Sequence, residues 1–247
     1  MWITGSSRPI HASTLRPEDV GSALIIAPHA DDEAMGCAGL MARLAAAGAK
    51  LHVLYLAVDG FHHYGIERET TFAERVAEIE HVLSLFGERC TYEIAYADEG
   101  MIERLDSLPR RDLVDRFEHV LNERRPDLLL IPSGHDYDQD HIATFKAAHA
   151  AARPIAQQFG KWLTPHILAY EMTKLQWADE PLPRAAAFVD IGDVLETKLE
   201  AIRRYATMFR PSPHIRSLES VRALATIRGA EIGVESAEAF EVLRTVI

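Results

Sequence analysis

The stretch ALIIA at residues 23–27 runs directly into PHADDE at residues 28–33. The first part has the length and composition of a buried strand, and the second part places one imidazole and three carboxylates where that strand would end. In open α/β sheets, ligands bind in the crevice beyond the carboxyl ends of the strands. So many polar groups are costly to bury unless something pairs with them, and a divalent metal ion is the obvious partner. The simpler alternative is a solvated acidic loop that happens to contain a His.

A second apolar run is followed by a second loop rich in His and Asp. The run is LLLIP at residues 128–132, and the loop is SGHDYDQDH at residues 133–141. In a parallel sheet the strands all end on the same side, where the ligand crevice lies. We therefore expect the two loops to meet at one crevice.

Together the two loops contain ligands of the types that zinc prefers. Catalytic zinc sites typically use three protein ligands and leave one position open for water. His29, Asp32 and His141 would supply two imidazoles and one carboxylate to a Zn²⁺ cofactor, and another divalent metal would suit the same ligands. Asp31 cannot easily reach the same ion through the same short turn, so it is the candidate general base.

Apolar runs alternate with longer amphipathic segments along the chain, which is typical of βαβ units and a parallel sheet. We predict an α/β fold with a Rossmann-like, mostly parallel sheet flanked by helices, in a single domain over residues 1–247. The predicted strands cover residues 22–27, 51–58, 91–96, 127–132, 166–170 and 187–191. The predicted helices cover residues 35–48, 69–86, 107–124, 141–158 and 193–206. The tail from residue 218 is expected to form two short helices.

The composition excludes several classes of partner. A net charge of −11 disfavours nucleic acid and anionic membrane surfaces, because both require basic patches. The longest apolar runs are strand-length, and the N-terminus has no signal-peptide pattern, so we expect no membrane span and a cytoplasmic location. The first twenty residues are polar and suit packing on another subunit, which makes a homo-oligomer one expectation.

The motifs HADDE at residues 29–33 and DQDH at residues 138–141 occur in this order, with RVAE at residues 75–78 between them. They resemble those of the PIG-L/LmbE-type zinc-dependent N-acetylglucosaminyl deacetylases. The first motif of that family reads His-Pro-Asp-Asp-Glu, and here Ala30 replaces the proline. The second reads His-x-Asp-His, and here Asp138 stands in place of the first His. The resemblance extends over nearly the whole chain from about residue 22.

This resemblance implies a hydrolase that removes the N-acetyl group from an N-acetylated amino sugar or glycoconjugate, using a metal-activated water with Asp31 as the base. In the family, the missing His helps to stabilise the oxyanion or to protonate the leaving amine. Asp138 could donate a proton only if its pKa were raised. His135 and Tyr137, on the same loop, are the alternative donors.

Other functions remain open at this point. An amidase acting on a related non-acetyl amide would use the same groups. A Rossmann-type nucleotide-binding enzyme is disfavoured, because no Gly-x-Gly-x-x-Gly follows the first strand and the carboxylates there would repel a pyrophosphate. A metal-storing protein without activity would not need Asp31 as a base. The sequence does not identify the small-molecule substrate.

Overall fold

Strands and helices alternate along the chain, and the strands form one seven-stranded sheet. The computed structural model describes residues 15–62, 68–155, 157–178, 181 and 185–246. The strands are β1 (Ser22–His29), β2 (Lys50–Val58), β3 (Cys90–Ala97), β4 (Leu128–Pro132), β5 (His166–Tyr170), β6 (Ala187–Asp190) and β7 (Ala237–Thr245). The helices are α1 (Asp32–Ala46), α2 (Phe72–Leu83), α3 (Arg110–Arg124), α4 (Gln139–Ala151), α5 (Leu195–Arg204) and α6 (Leu218–Ile232).

The sheet is mostly parallel. Its strand order is β3-β2-β1-β4-β5-β7-β6. Strands β1 to β5 pair in parallel, and β7 pairs antiparallel with both β5 and β6. The predicted Rossmann-like α/β fold is confirmed, and helices cover both faces of the sheet.

Strand β1 is buried on both faces and sends alternate side chains into two separate cores. Ala23, Ile25 and Ala27 belong to the core that includes α1, α2 and α5. Leu24 and Ile26 belong to the core that includes α3 and α4. The alternation follows from the two-residue period of a strand. A strand with helices on both faces must be apolar throughout, which explains the uninterrupted ALIIA sequence.

Strands β1 and β4 are neighbours at the place where the strand order reverses. From β1 the chain builds outward through β2 and β3, and it then returns to the other side of β1 with β4 and β5. In this type of sheet the reversal opens a crevice beyond the carboxyl ends of the strands, where ligands bind. The loops after β1 and β4 therefore lie on the two sides of the same crevice.

The prediction of two short helices from residue 218 is wrong in its second half. Helix α6 is followed by strand β7, which lies between β5 and β6. The buried carboxylate of Glu238 on β7 accepts the backbone N–H groups of Gly39 and Leu40 at 2.9 and 2.8 Å and pairs with Lys198 at 2.6 Å. These partners are remote in sequence, so tertiary pairing overrides the local helical tendency of the Ala- and Glu-rich segment.

No helix in the described part of the chain combines the length and the apolar character that a membrane span requires. The described residues form a single α/β domain built on the one sheet. Most of the polar first twenty residues lie outside the described residues, so the expected packing on another subunit stays a prediction.

Candidate metal and catalytic site

The two strand-end loops meet, and three of their side chains converge. His29 is the last residue of β1, Asp32 is the first residue of α1, and His141 lies in the first turn of α4. Ligand atoms of these three residues all lie within 4.8 Å of one another, so the group could hold a metal ion. The Asp32 Oδ2 atom is 3.5 Å from His29 Nδ1 and 3.2 Å from His141 Nε2. We call these three residues the ligand triad.

The second nitrogen of each triad imidazole faces a carboxylate. His29 Nε2 is 2.8 Å from Asp140 Oδ2, and His141 Nδ1 is 3.2 Å from Asp136 Oδ2. The first contact is a hydrogen bond, whereas the second pair lies close without hydrogen-bond geometry. Histidine ligands of metals usually have such an outer carboxylate, which orients the ring and selects its tautomer. His29 Nδ1 and His141 Nε2 are thereby left on the side of Asp32. Two such imidazole nitrogens and one carboxylate make the donor set of a catalytic zinc site, so the residues present fit that metal.

The electrostatics of the triad favour a bound cation. Burial would lower the pKa of His29, but the hydrogen bond with Asp140 and the Asp32 carboxylate raise it to about 10. Burial would raise the pKa of Asp32, but His141 and His29 hold it well below its ordinary value. Burial and the Lys174 ammonium would lower the pKa of His141, but the Asp32 and Asp136 carboxylates together raise it. The carboxylates thus stabilise positive charge, whether protons on the imidazoles or a metal ion.

Asp140 is held rigidly behind His29. It is completely buried, and its two oxygens accept the backbone N–H groups of Glu103 and Leu105 at 2.7 and 2.8 Å. A carboxylate fixed in this way presents one oxygen to the His29 ring. The structure therefore gives Asp140 the geometry of an orienting residue rather than that of a simple helix-terminus carboxylate.

We expect Asp140→Asn to weaken zinc binding by about 10–100-fold, the usual effect of losing an outer partner of a metal-binding His. Zinc affinity can be measured by competition with a chromophoric chelator. Asp127→Asn is the matched control. Asp127 also accepts backbone N–H groups, but they come from Gly21 and Ser22, at the amino-terminal ends of the strands and away from the site. Wild-type zinc affinity in Asp140→Asn would show that Asp140 does not orient a ligand.

Asp31 lies beside the triad in a strained backbone conformation. It precedes α1 with φ of 126°, and its side chain is buried, leaving the residue 4% exposed. Non-glycine residues held in such regions cost about 1–3 kcal/mol and occur preferentially at functional sites. Burial raises the pKa of Asp31, and the Arg216 guanidinium, 3.1 Å from Asp31 Oδ2, opposes the rise. Asp31 and His29 line the same small cavity, so a base at Asp31 would face the metal side of the crevice.

Two cationic side chains of the site were not predicted from the sequence. Lys174 Nζ lies 3.0 Å from Asp138 Oδ2 and 3.1 Å from His141 Nε2, and Arg216 pairs with Asp31. Lys174 follows β5, which is the next strand beyond β4 and ends at the same edge of the sheet. The position of Lys174 just after a strand that ends beside β4 is therefore a sequence signal that points to the site. No comparable sequence signal points to Arg216, which lies in an irregular segment before α6.

Asp138 caps helix α4 and pairs with Lys174. Its side chain accepts the backbone N–H of Asp140 at 3.0 Å. Burial would raise the pKa of Asp138, but His141 and Lys174 lower it far below its ordinary value. An acid role would require a raised pKa, so this ionised carboxylate is poorly suited to donate a proton.

The two alternative donors lie in different surroundings. Tyr137 is 50% exposed, and Lys174 Nζ lies 5.5 Å from the centre of its ring. The His135 backbone N–H donates to Ser133 Oγ at 3.2 Å. Among the described residues, no hydrogen bond or ion pair joins His135 to the ligand triad. Of the two, Tyr137 is the residue whose ring lies beside Lys174.

Glu33 belongs to a buried network behind the site. Its Oε1 accepts the Tyr205 hydroxyl at 2.6 Å, and the Tyr205 and Tyr55 hydroxyls are 3.1 Å apart. Burial raises the pKa of Glu33 to about 7. Its Oε2 accepts the backbone N–H of Asp31 at 3.4 Å, and among the described contacts none joins Glu33 to a His of the triad.

Several known proteins are similar to this chain. The uncharacterized deacetylase YaiS of Escherichia coli K12 is 26% identical over 164 residues, which is 62% of this chain and 83% of that protein. The N,N'-diacetylchitobiose deacetylase from Pyrococcus horikoshii superimposes with a TM-score of 0.71 at 21% identity, over 92% of this chain and 85% of that chain. GalB, the 4-carboxy-2-hydroxymuconate hydratase from Pseudomonas putida KT2440, superimposes with a TM-score of 0.70 at 22% identity, over 92% and 97% of the two chains.

The two structural likenesses establish the fold alone, since one fold supports different chemistries. The family match is more specific. Residues 24–152 match the model of the PIG-L family, described as GlcNAc-PI de-N-acetylase. This segment runs from β1 to α4 and includes the ligand triad and Asp31. Because the match covers just over half of the 247 residues and both motif loops, the chain belongs to the PIG-L family.

Proposed function

We propose that this protein is a zinc-dependent N-deacetylase that removes the acetyl group from an N-acetylated amino sugar or its conjugate. The observation that carries the proposal is the convergence of His29, Asp32 and His141 beside the buried Asp31. The family description and the names of two similar proteins, a deacetylase of Escherichia coli and a diacetylchitobiose deacetylase, support the reaction and the substrate class. A cytoplasmic location and a homo-oligomeric assembly stay predictions from the sequence.

Each residue of the site has a distinct part in this reaction. When bound, a zinc ion polarises the amide carbonyl and lowers the pKa of a water molecule to roughly 7. His29, Asp32 and His141 would hold the ion. The Asp31 carboxylate would take the proton of the attacking water, and Arg216 favours the ionised form of Asp31 that a base requires. Tyr137, at the exposed side, is the candidate donor to the leaving amine.

The alternatives differ in what they require of this site. A pyrophosphate would need free N–H donors and positive charge at the start of α1, but Asp31 and Asp32 are buried there, so nucleotide binding gains no support. An amidase acting on a non-acetyl amide would use the same groups in the same way. Only the size of the acyl group that is released distinguishes it from a deacetylase.

The proposal is tested by incubating the purified protein with N-acetylglucosamine, N,N'-diacetylchitobiose and other N-acetylated amino sugars. We expect equal amounts of acetate and free amine, loss of activity with a chelator, and recovery with zinc. N-Propionylglucosamine is the matched substrate for the amidase alternative. If zinc-saturated protein released no amine from this panel, or if chelation left the activity unchanged, the proposed function would be wrong.

We expect Tyr137→Phe or His135→Ala to lower kcat more than Asp138→Asn does when each variant is saturated with zinc. Loss of a general acid typically costs about 10²–10⁴-fold. Asn at position 138 keeps the helix cap and removes only a carboxylate whose pKa is too low for proton donation. Steady-state kcat of the three variants gives the order. If Asp138→Asn were the most damaging of the three, the carboxylate itself would be the group that acts in the reaction.

A further inference from the structure

A lysine ammonium lies among the groups that are proposed to hold the metal. Lys174 Nζ is 3.0 Å from Asp138 Oδ2, 3.1 Å from His141 Nε2 and 3.5 Å from Asp136 Oδ2. The Lys174 side chain is only 7% exposed, so these contacts are shielded from water. None of the roles in the proposed reaction uses this ammonium group.

The contact with His141 is incompatible with a metal bond to the same atom. His141 Nε2 is the nitrogen on the side of Asp32, because His141 Nδ1 faces Asp136. Neutral Nε2 has one lone pair, which can accept an N–H of Lys174 or bind a metal ion but cannot do both. An ammonium and a divalent cation a few ångströms apart also repel each other strongly in a buried site.

The surroundings of Lys174 offer a second position for its ammonium. The Asp138 side chain is 22% exposed, and the ring centre of the half-exposed Tyr137 is 5.5 Å from Lys174 Nζ. Between this carboxylate and this aromatic face, the ammonium would keep the ion pair and the cation–π contact that it already makes. A small rotation of the lysine side chain would therefore release His141 without leaving the ammonium unpaired.

We propose that Lys174 competes with the divalent metal for the carboxylate-rich ligand cluster and thereby sets the metal affinity of the site. Without the metal, the ammonium neutralises the cluster and occupies His141 Nε2. With the metal, it leaves His141 and keeps its contacts with Asp138 and Tyr137. Lys174 is thus a positioning residue that makes metal binding weaker and more reversible than the three ligands alone would make it. The inference rests on the proposed metal site and names its built-in competitor.

The test measures zinc affinity directly, by competition with a chromophoric chelator, in the full chain without substrate. We expect Lys174→Met to bind zinc about tenfold or more tightly than the wild type, because both the competing donor and the repelling charge are lost. Lys161→Met is the matched control: Lys161 is a similarly shielded lysine, 8% exposed at the side-chain level, but it pairs with Glu118 at 2.9 Å instead of the site. We expect Lys161→Met to leave the affinity unchanged.

Asp138→Asn is expected to change the zinc affinity in the direction opposite to that of Lys174→Met. It removes the partner that holds the ammonium once it has left His141, so we expect weaker zinc binding in the wild-type background and a smaller effect in Lys174→Met. This non-additivity is the signature of two residues that act through each other. Additive effects of the two substitutions would contradict the proposed retention of Lys174 by Asp138.

Two outcomes of the zinc-binding measurement distinguish a failure of this inference from a failure of the proposed function. If the wild type binds one zinc and Lys174→Met binds it equally or less tightly, the competition is overturned while the metal site stands. If neither protein binds zinc, both the competition and the zinc-dependent function are wrong. Should Lys174→Met fold poorly, Lys174→Gln and the ¹⁵N ammonium resonance of wild-type Lys174 replace it. A resonance that does not shift when zinc is added would overturn the proposal.

Discussion

Asp31→Asn is expected to retain the bound zinc and to lower kcat by about 10²–10⁴-fold, the usual contribution of a general base. The amide keeps the shape of the side chain and loses its basicity. Because Asn has the same size and branching as Asp, the backbone should keep its conformation at φ 126°. The measurement is kcat on the best substrate of the panel, together with the zinc content of the same preparation.

The control for this prediction is Asp127→Asn, a change of the same kind at the opposite, amino-terminal ends of the strands. We expect it to leave both kcat and zinc content at wild-type values. Near-normal turnover in zinc-replete Asp31→Asn would move the base to another residue. Loss of zinc from Asp31→Asn would instead indicate that Asp31 is a metal ligand, and the proposed ligand triad would be wrong.

The second large effect is expected from His141→Ala. The change removes one of three ligands, and even outer partners of such ligands contribute about 10–100-fold to metal affinity, so we expect zinc binding to weaken by more than about 100-fold. Deacetylation should fall with it. The buried carboxylates of Asp32 and Asp136 also lose their shared partner, so we expect a lower Tm.

His149→Ala is the matched control, because His149 lies on the same helix α4 and is exposed. Zinc content and Tm of the two variants, measured side by side, separate ligand loss from damage to the helix. If His141→Ala kept one tightly bound zinc per chain, the metal would not be held by this triad. If only the Tm fell while zinc affinity and activity stayed intact, His141 would be a structural residue.

Much of the fold could be predicted from local sequence. The uninterrupted ALIIA run at residues 23–27 indicates a strand covered on both faces, and the structure has that strand at the centre of the sheet. The meeting of the two His- and Asp-rich loops also follows from sequence, because parallel strands end on one side. These features depend on side-chain periods and strand direction, which a short stretch of chain already determines.

Other features depend on which distant segments become neighbours. The tail after residue 233 has the Ala and Glu content of a helix, yet it forms β7 because Glu238 finds its partners on α1 and at Lys198. Lys174 is an ordinary lysine in the sequence. It becomes part of the site because β5 lies beside β4, which brings its ammonium to Asp138 and His141.

The sequence by itself thus determined the α/β class, the family motifs and the residue types available for a metal ion, since these are encoded in short contiguous stretches. Only the tertiary structure decided the partners of those residues: Asp140 behind His29, Arg216 on Asp31 and Lys174 against His141. The physical reason is that burial and charge pairing act through space. A carboxylate becomes an orienting group, a base or a counter-ion according to the neighbours that the sheet order brings to it.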